Sequence, residues 1–491
     1  MAEIEFVDQT MRDGQQSLWG LRMRSGHITA VADQIDRAGY RTVEIIAGAP
    51  ERLIREDKWE RVDWHKKCLP NSKLRCARVA KMAGGMGIAP HCIQDLTIQT
   101  FARHGIDSFW VLDCLYDMPA LKRVHQVVAD TGCEIAATIM FGIAPVLTDE
   151  WFADKVHQFI SWGLADTVYV EDASGILTPQ RTATLMRAIV DAAGEIPVEI
   201  HCHNTTGLAP ANYVEAINQG ARIVHTASRP LANGPSLPST EMTAETLELL
   251  GHSHHLDLGT LPPVAAHFER VARQEGFPVG APVEHNVGPY LHHLPGGMTG
   301  TLKAQLADHD MSDRYTEVLR EVARVRGELG HPISATPFSQ FLGIQAVLNV
   351  TTGDRYSIVP DEVIQYVLGH FGDPPAPFDQ NVKDRILACP AAKKFADWQP
   401  PNPSLTEIKQ QYGYPGITDE ELLTRYYVTP EDIAATRATP LKTNYEFLDD
   451  IDVARLTRAV MPRKRVGHFH AAIDDIEVTF NRADPDAGTP A

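Results

Sequence analysis

No stretch of this 491-residue chain approaches the ~18 consecutive apolar residues of a membrane-spanning helix, so membrane insertion is not expected. The opening residues, Met1-Ala2-Glu3-Ile4-Glu5-Phe6, have neither the basic start nor the apolar core of a secretory signal, and a cytoplasmic location is expected. Cysteine is sparse and odd in number. The seven residues, Cys68, Cys76, Cys92, Cys114, Cys133, Cys202 and Cys389, are irregularly spaced and include no CxxC pair. That pattern argues against a disulfide framework or a structural zinc site and for free thiols in a reducing compartment. Basic residues are outnumbered, 45 Lys and Arg against 63 Asp and Glu, for a net charge of −18. A surface so charged is not expected to bind nucleic acid or anionic membrane, and small clusters such as Arg463-Lys464-Arg465 do not reverse this. There is no Walker-type phosphate loop, no GxSxG elbow and no dinucleotide fingerprint.

With 44% hydrophobic residues, the chain can bury the core of one large domain and a smaller appended one, or of two to three ordinary domains. Up to about residue 250, short β-rich runs alternate with longer helical stretches. The runs are Ile4–Asp8, Thr42–Ile46, Lys73–Arg78, Ser108–Asp113, Glu134–Phe141, Thr167–Asp172, Val198–His203 and Arg222–Ala227. Between them, segments such as His27–Ala38, Asp149–Gly163, Pro179–Ala193 and Ala209–Gly220 repeat apolar residues at helical spacing. Eight such units predict an α/β fold, a TIM (β/α)8 barrel, with an open doubly wound sheet as the alternative. After residue 250 the alternation gives way to helical segments, Thr316–Leu329 and Pro360–Gly369 being the clearest, interrupted by proline-rich turns. The expected division is a barrel over 1–269, a smaller helical domain over 270–440, and an extension over 441–491. In that extension, Ile476–Phe480 reads as a strand and the last residues as a disordered tail.

The chemistry-bearing residues gather at the ends of these runs. His201 and His203, two apart in Val198-Glu199-Ile200-His201-Cys202-His203, share one face of a strand, and Cys202 takes the other. Arg12-Asp13 follows the first run, Asp113 ends the fourth, and Glu171-Asp172 ends the sixth. In a barrel these ends form the active-site face. Asp13, His201 and His203 together would hold a divalent ion that leaves positions open for substrate oxygens and can polarise a carbonyl. Arg12 beside it could hold a carboxylate or an enolate oxygen. Gly14 and Gly207 are expected to allow tight turns after the two ligand clusters. Asp113 is equally readable as a loop anchor. His252-Ser253-His254-His255 and His292-His293 fall in expected surface segments without a carboxylate partner and read as solvated surface, and His468 and His470 share the HxH spacing in a terminal segment with no strong scaffold.

These motifs carry a family resemblance. Asp8-Gln9-Thr10-Met11-Arg12-Asp13-Gly14-Gln15-Gln16-Ser17 resembles the first-strand motif of metal-dependent TIM-barrel lyases and of the carboxyltransferase domain of pyruvate carboxylase. Glu171-Asp172-Ala173-Ser174-Gly175, His201 to Gly207, Thr226 to Gly234, Leu294-Pro295-Gly296-Gly297-Met298, Ala335-Thr336-Pro337-Phe338-Ser339-Gln340 and Asn349 to Tyr356 are similar to the oxaloacetate decarboxylase alpha subunit. The resemblance runs over roughly residues 4–435 and implies carboxyl transfer through a metal-stabilised enolate of a 2-oxo acid or related small carbonyl substrate. By position it implies Asp13, His201 and His203 as metal ligands, Arg12 and Gln16 at the substrate, and Thr336 as the proton shuttle between biotin and substrate. The implied metal is zinc, manganese, cobalt or magnesium. No biotinylation motif is present, so biotin is expected on a separate carrier subunit, alongside a biotin carboxylase subunit; homo-oligomers are common in the family and one is expected here.

The departures are local. Glu171 stands where the family has a carbamylated lysine at the metal, and is carried as a candidate metal ligand. The family's WGG becomes Ile46-Ala47-Gly48, its substrate-binding arginine after the third strand falls on Val79, its fourth-strand arginine is Trp110, and the aspartate after the second histidine is Asn204. These changes imply an altered substrate. They leave a biotin-independent carbon–carbon lyase or aldolase as the alternative function and a non-catalytic scaffold subunit as a third.

Overall fold

Eight parallel strands close into a barrel in chain order: β1 (Glu5–Asp8), β2 (Thr42–Glu44), β3 (Leu74–Val79), β4 (Ser108–Leu112), β5 (Glu134–Met140), β6 (Thr167–Asp172), β7 (Val198–Cys202) and β8 (Ile223–Thr226). The structure is a computed structural model and describes residues 2–46, 48, 50–82, 87–308, 310–395, 397–400, 402–413, 415–448, 460, 468–473 and 476–481. Closure is made by β1 against β8, with Glu5 opposite Ile223 and Asp8 opposite Thr226. The expected TIM barrel is therefore present, and an open sheet is excluded because β1 is paired on both sides.

Helices fill the intervals for reasons visible in the sequence. Pro179–Ala193 begins at Thr178, whose hydroxyl accepts from the Arg181 amide, and has proline at its first position, where no amide hydrogen is needed. Asp149–Ser161 is capped in the same way by Thr148. The stretch expected as one helix over His27–Ala38 is instead two, Gly26–Thr29 and Ala32–Arg37.

The interior of this barrel is unusually polar. Inward positions are ordinarily filled by branched aliphatic side chains. Here Glu44, Arg75, Ser108, Trp110, Tyr169, Glu199 and His225 are all buried. Arg75 on β3 reaches Glu199 on β7 with two hydrogen bonds, Nη1 to Oε2 at 2.6 Å and Nη2 to Oε1 at 3.1 Å. Neither strand is adjacent to the other, so this pair crosses the barrel and ties opposite walls together. Replacing Arg75 by Met would leave Glu199 a buried charge without its cation. We expect Arg75→Met to cost about 3–5 kcal/mol, read as a lower urea midpoint for the metal-free chain; an unchanged midpoint would show that the pair contributes nothing.

Leu261–Glu275 packs back on the barrel helix Ala32–Arg37, and the chain then runs through helices over the rim and flank. Three contacts anchor this region at the strand ends. Ser174 donates to the His293 carbonyl at 2.6 Å, Arg326 to the Ile143 carbonyl at 3.1 Å, and Lys81 to the Phe371 carbonyl at 2.9 Å. On the flank, Trp59 donates to Thr424 at 3.0 Å, holding Asp419–Tyr427 against the barrel. The beginning of the expected extension returns to the barrel wall: Tyr445 donates to Glu275 at 2.9 Å, and the Arg270 guanidinium lies 3.8 Å from the Phe447 ring centre. The strand expected at Ile476–Phe480 is β10 (Ile476–Asn481), paired antiparallel with β9 (His468–Ile473). Residues 482–491, Ala47 and the Arg463-Lys464-Arg465 cluster lie outside the described residues.

The two histidine tracts are only in part the solvated surface expected of them: Ser253 and His255 are exposed, whereas His252, His254 and His293 are half-buried and His292 is buried. Ser253 bonds the backbone at both Ala2 and Ile4, the His254 ring packs edge-on against Phe6 at 5.6 Å, and His255 pairs with Glu3. The tract fastens the N-terminus beneath the barrel. His292 is buried, with Nδ1 accepting from the Leu294 amide at 3.0 Å. Local backbone bonding, which composition does not reveal, decides both cases.

Candidate active site at the carboxyl face of the barrel

After Asp8, the chain does not continue as strand. Thr10–Gly14 forms a single π-helical turn, with the Gly14 amide bonded to the Gln9 carbonyl at 2.9 Å, followed by the short helix Gln15–Trp19. Such turns often occur at functional sites because the extra residue redirects side chains. Here the turn lets neighbouring Arg12 and Asp13 contact each other, whereas on a strand they would face opposite ways. Thr10 pins the turn, its hydroxyl accepting from the Ser228 amide at 2.8 Å.

The two glycines have different roles. Gly207 has φ +80°, a conformation that favours glycine, as a tight turn requires. Gly14 has ordinary helical dihedrals; a β-carbon there would lie 2.9 Å from the Leu231 carbonyl oxygen. Close packing rather than turning explains it.

Asp13, His201 and His203 are brought together. One ligand atom from each lies within 4.8 Å of the others, all three residues are buried, and among the described residues this is the one such group of three. Asp13 Oδ2 is 3.0 Å from His203 Nε2 and 3.1 Å from His201 Nε2. The second approach lacks hydrogen-bond alignment, leaving His201 Nε2 a buried nitrogen without a partner. His203 Nδ1 lies 2.7 Å from the Pro235 carbonyl and so carries a proton, while Nε2 donates to Asp13; an ion bound here would displace the Nε2 proton and take that lone pair. Ser17 donates to the other Asp13 oxygen at 2.6 Å. Oriented carboxylate and imidazole donors of this kind suit a divalent ion.

The surrounding charge points the same way. The Arg12 guanidinium contacts Asp13, lies 3.1 Å from Glu44 and 3.8 Å from Glu171, and stacks 4.6 Å from the Trp110 ring centre. Three carboxyl groups thus gather round one guanidinium, surroundings that suit a divalent ion. Burial opposes ionisation of Asp13, but His203 and Arg12 outweigh it and hold the carboxyl well below the usual range. Burial pushes the Glu171 carboxyl up to about 7 against the pull of Arg12. Burial also holds His201 well below the ordinary imidazole range, whereas the charge of Asp13 raises His203 in spite of burial.

The remaining sequence candidates are distributed as follows. Glu171 is buried at the end of β6, outside the close group of three, with Oε2 lacking a hydrogen-bond partner. Gln16 is exposed on the helix after Asp13. Thr336, from the helical region, is exposed, and its carbonyl lies 3.7 Å from Cys114 Sγ just past β4. Asp113 accepts from the Leu115 amide at 2.8 Å as a loop anchor, and Asn204 accepts from the Ala209 amide at 3.3 Å rather than joining the three ligands. His470 bonds Thr479 across β9 and β10 at 2.9 Å.

Sequence reasoning passed over Gln9, Glu44, Tyr169, Glu199 and His225. Gln9 bonds Glu44 at 2.7 Å and His225 at 2.9 Å, and Tyr169 lies 2.8 Å from His201 Nδ1. A signal was present: Glu199 stands two before His201, and so on the same face, in an otherwise apolar strand.

Residues 3–267 match the HMGL-like family, and residues 290–444 match the conserved carboxylase domain. A pyruvate carboxylase subunit of Methanocaldococcus jannaschii is 32% identical over 87% of this chain and 76% of its own length. The chain belongs to the carboxyltransferase family of biotin-dependent carboxylases. The methylmalonyl-CoA carboxyltransferase 5S subunit of Propionibacterium freudenreichii subsp. shermanii is 31% identical over 87% of this carboxyltransferase-family chain and 86% of its own. In fold, the chain resembles the carboxyl transferase domain of Rhizobium etli pyruvate carboxylase, solved with pyruvate and biocytin, at a TM-score of 0.79 and 23% identity, covering 89% of this chain and 77% of that one. Among the described residues, no helix is long and apolar enough to cross a membrane.

Proposed function

We propose that this carboxyltransferase-family chain moves a carboxyl group between biotin on a separate carrier subunit and a small carbonyl compound that passes through its enolate. The observation that carries this reading is the meeting of Asp13, His201 and His203 at the carboxyl face of a barrel whose rim also holds Thr336. A divalent ion held there, zinc, manganese, cobalt or magnesium, would polarise the substrate carbonyl and make the adjacent proton easier to remove. Arg12 holds the developing enolate oxygen or a substrate carboxylate, a role supported by its contacts with Glu44 and Trp110 beside the three ligands. Gln16 supports substrate binding from the exposed start of the adjoining helix. Thr336 carries the proton between biotin and substrate, its hydroxyl being able both to donate and to accept. Biotin supplies the exchangeable carbon dioxide.

Glu171 joins the ion's ligands as the anionic group that replaces the family's carbamylated lysine, a role supported by its unpartnered buried oxygen. On that reading Glu171→Gln weakens divalent-ion binding at least about tenfold, comparable to losing an orienting partner of a metal ligand, as read by titration calorimetry. Unchanged affinity would leave Glu171 as a partner of Arg12 alone.

The test of the main reading is turnover by the purified chain with added metal, using pyruvate or 2-oxoglutarate as acceptor with a carboxybiotinylated carrier as donor, and methylmalonyl-CoA as donor with a biotinylated carrier as acceptor, each beside a control without carrier. The relatives' names supply this panel. Transfer that requires the carrier supports the proposal. Cleavage or condensation without any carrier would overturn it in favour of a carbon–carbon lyase, the reading that Glu171 favours because a glutamate needs no carbon dioxide to become anionic.

A further inference from the structure

Beneath the three candidate ligands, the barrel carries a polar chain that the proposed chemistry does not use. On the inward face of β7 and just past its end, Glu199, His201 and His203 follow at intervals of two residues. Glu199 is gripped by Arg75 from the opposite wall, and Arg75 Nε donates to Ser108 at 3.0 Å. The same carboxylate lies 2.7 Å from His225 Nε2. A carboxylate only accepts, so the His225 proton sits on Nε2 and its Nδ1 is left as an acceptor. Two groups converge on that nitrogen, Gln9 Nε2 at 2.9 Å and His201 Nδ1 at 3.3 Å.

We infer that Glu199 and His225 are positioning residues that hold His201 with its proton on Nδ1, keeping the Nε2 lone pair directed at the metal position beside Asp13. With that proton in place, His201 can donate to the Tyr169 oxygen at 2.8 Å or to His225 Nδ1. The opposite tautomer would set the lone pairs of two imidazole nitrogens against each other and aim an N–H at the ion. Arg75, Glu199, His225, His201 and Tyr169 are each at most 1% exposed, so bulk water cannot substitute for a missing partner. An ion pair serving stability alone could be replaced by well-packed apolar side chains. This one is connected by a single imidazole to a candidate ligand, where outer partners of ligating histidines set tautomer, ring orientation and basicity.

The inference rests on the metal reading above, and its test separates the two. Titration calorimetry with Mn2+ and Zn2+ is carried out on the full-length wild type, His225→Leu and His225→Asn. The Leu change removes the acceptor, whereas the Asn change leaves an amide oxygen near the place of Nδ1. The expected result is a dissociation constant raised about 10–100-fold for His225→Leu and largely restored in His225→Asn. Wild-type affinity in His225→Leu would overturn the relay while leaving the metal site standing, as would equal losses in both variants, which indicate packing. No binding by the wild type overturns the metal reading itself. Independent of any variant's folding, 15N-histidine NMR of the metal-free wild type should show His201 protonated at Nδ1. An Nε2–H signal assigned to His201 would refute the relay.

Discussion

Asp13→Ala is expected to lose divalent-ion binding by more than about 100-fold and turnover by about a thousandfold or more. The first figure exceeds the 10–100-fold typical of removing an outer partner of a ligand. The second follows if the ion supplies several kcal/mol toward polarising the carbonyl. Asp13 is the group on which both imidazoles and Arg12 converge, and its removal deletes the one anion in the close ligand group. It also releases Arg12 from one of its three carboxylate contacts, so the guanidinium would be drawn toward Glu44 and Glu171. Elemental analysis and calorimetry of the purified variant measure the first effect, and carrier-dependent turnover the second. Full metal occupancy in Asp13→Ala, or in the parallel His201→Ala, would refute the site.

Thr336→Ala should separate two halves of the reaction. The hydroxyl lies on the helical region, and the Thr336 carbonyl rests near Cys114 beyond β4, so the substitution leaves the three ligands untouched. Carrier-dependent carboxyl transfer is expected to fall about 10²–10⁴-fold, the range for losing a positioned proton-transfer group. Metal binding and carrier-independent exchange of the substrate's α protons with deuterium should remain close to wild type. Loss of both activities together would place Thr336 in substrate binding. Retention of full transfer would remove it from the proton path.

The barrel was legible because each strand is a short apolar run and each helix repeats at its own period; the eight expected runs coincide with the eight strands to within two residues. Pro179–Ala193 matches at both ends because Thr178, Pro179 and Gly194 mark its termini. Boundaries near Val31 were less legible: the same apolar spacing accommodates either one helix or two. The HxH pair was legible for the same periodic reason, since alternation on β7 decides which residues share a face. Arg12 and Asp13 were singled out by their place after the first run, but alternation alone would have set them on opposite faces. Their meeting depends on the π-helical turn.

Local periodicity and residue chemistry thus determined the barrel, the shared face of His201 and His203, and Arg12 and Asp13 as candidates, while family resemblance supplied Gln16, Thr336 and the ligand role of Glu171. Tertiary structure decided which of those candidates touch. Asp13 reaches His203 across a sequence separation of 190 residues, and Arg75 reaches Glu199 across 124, because closing β1 against β8 turns eight separate inward faces into one interior. Burial in that interior then set the charges: it raises Glu171 and depresses His201, whereas Asp13 remains ionised because two imidazoles and a guanidinium surround it. Desolvation and through-space charge depend on distances between strands, and a linear sequence does not contain those distances.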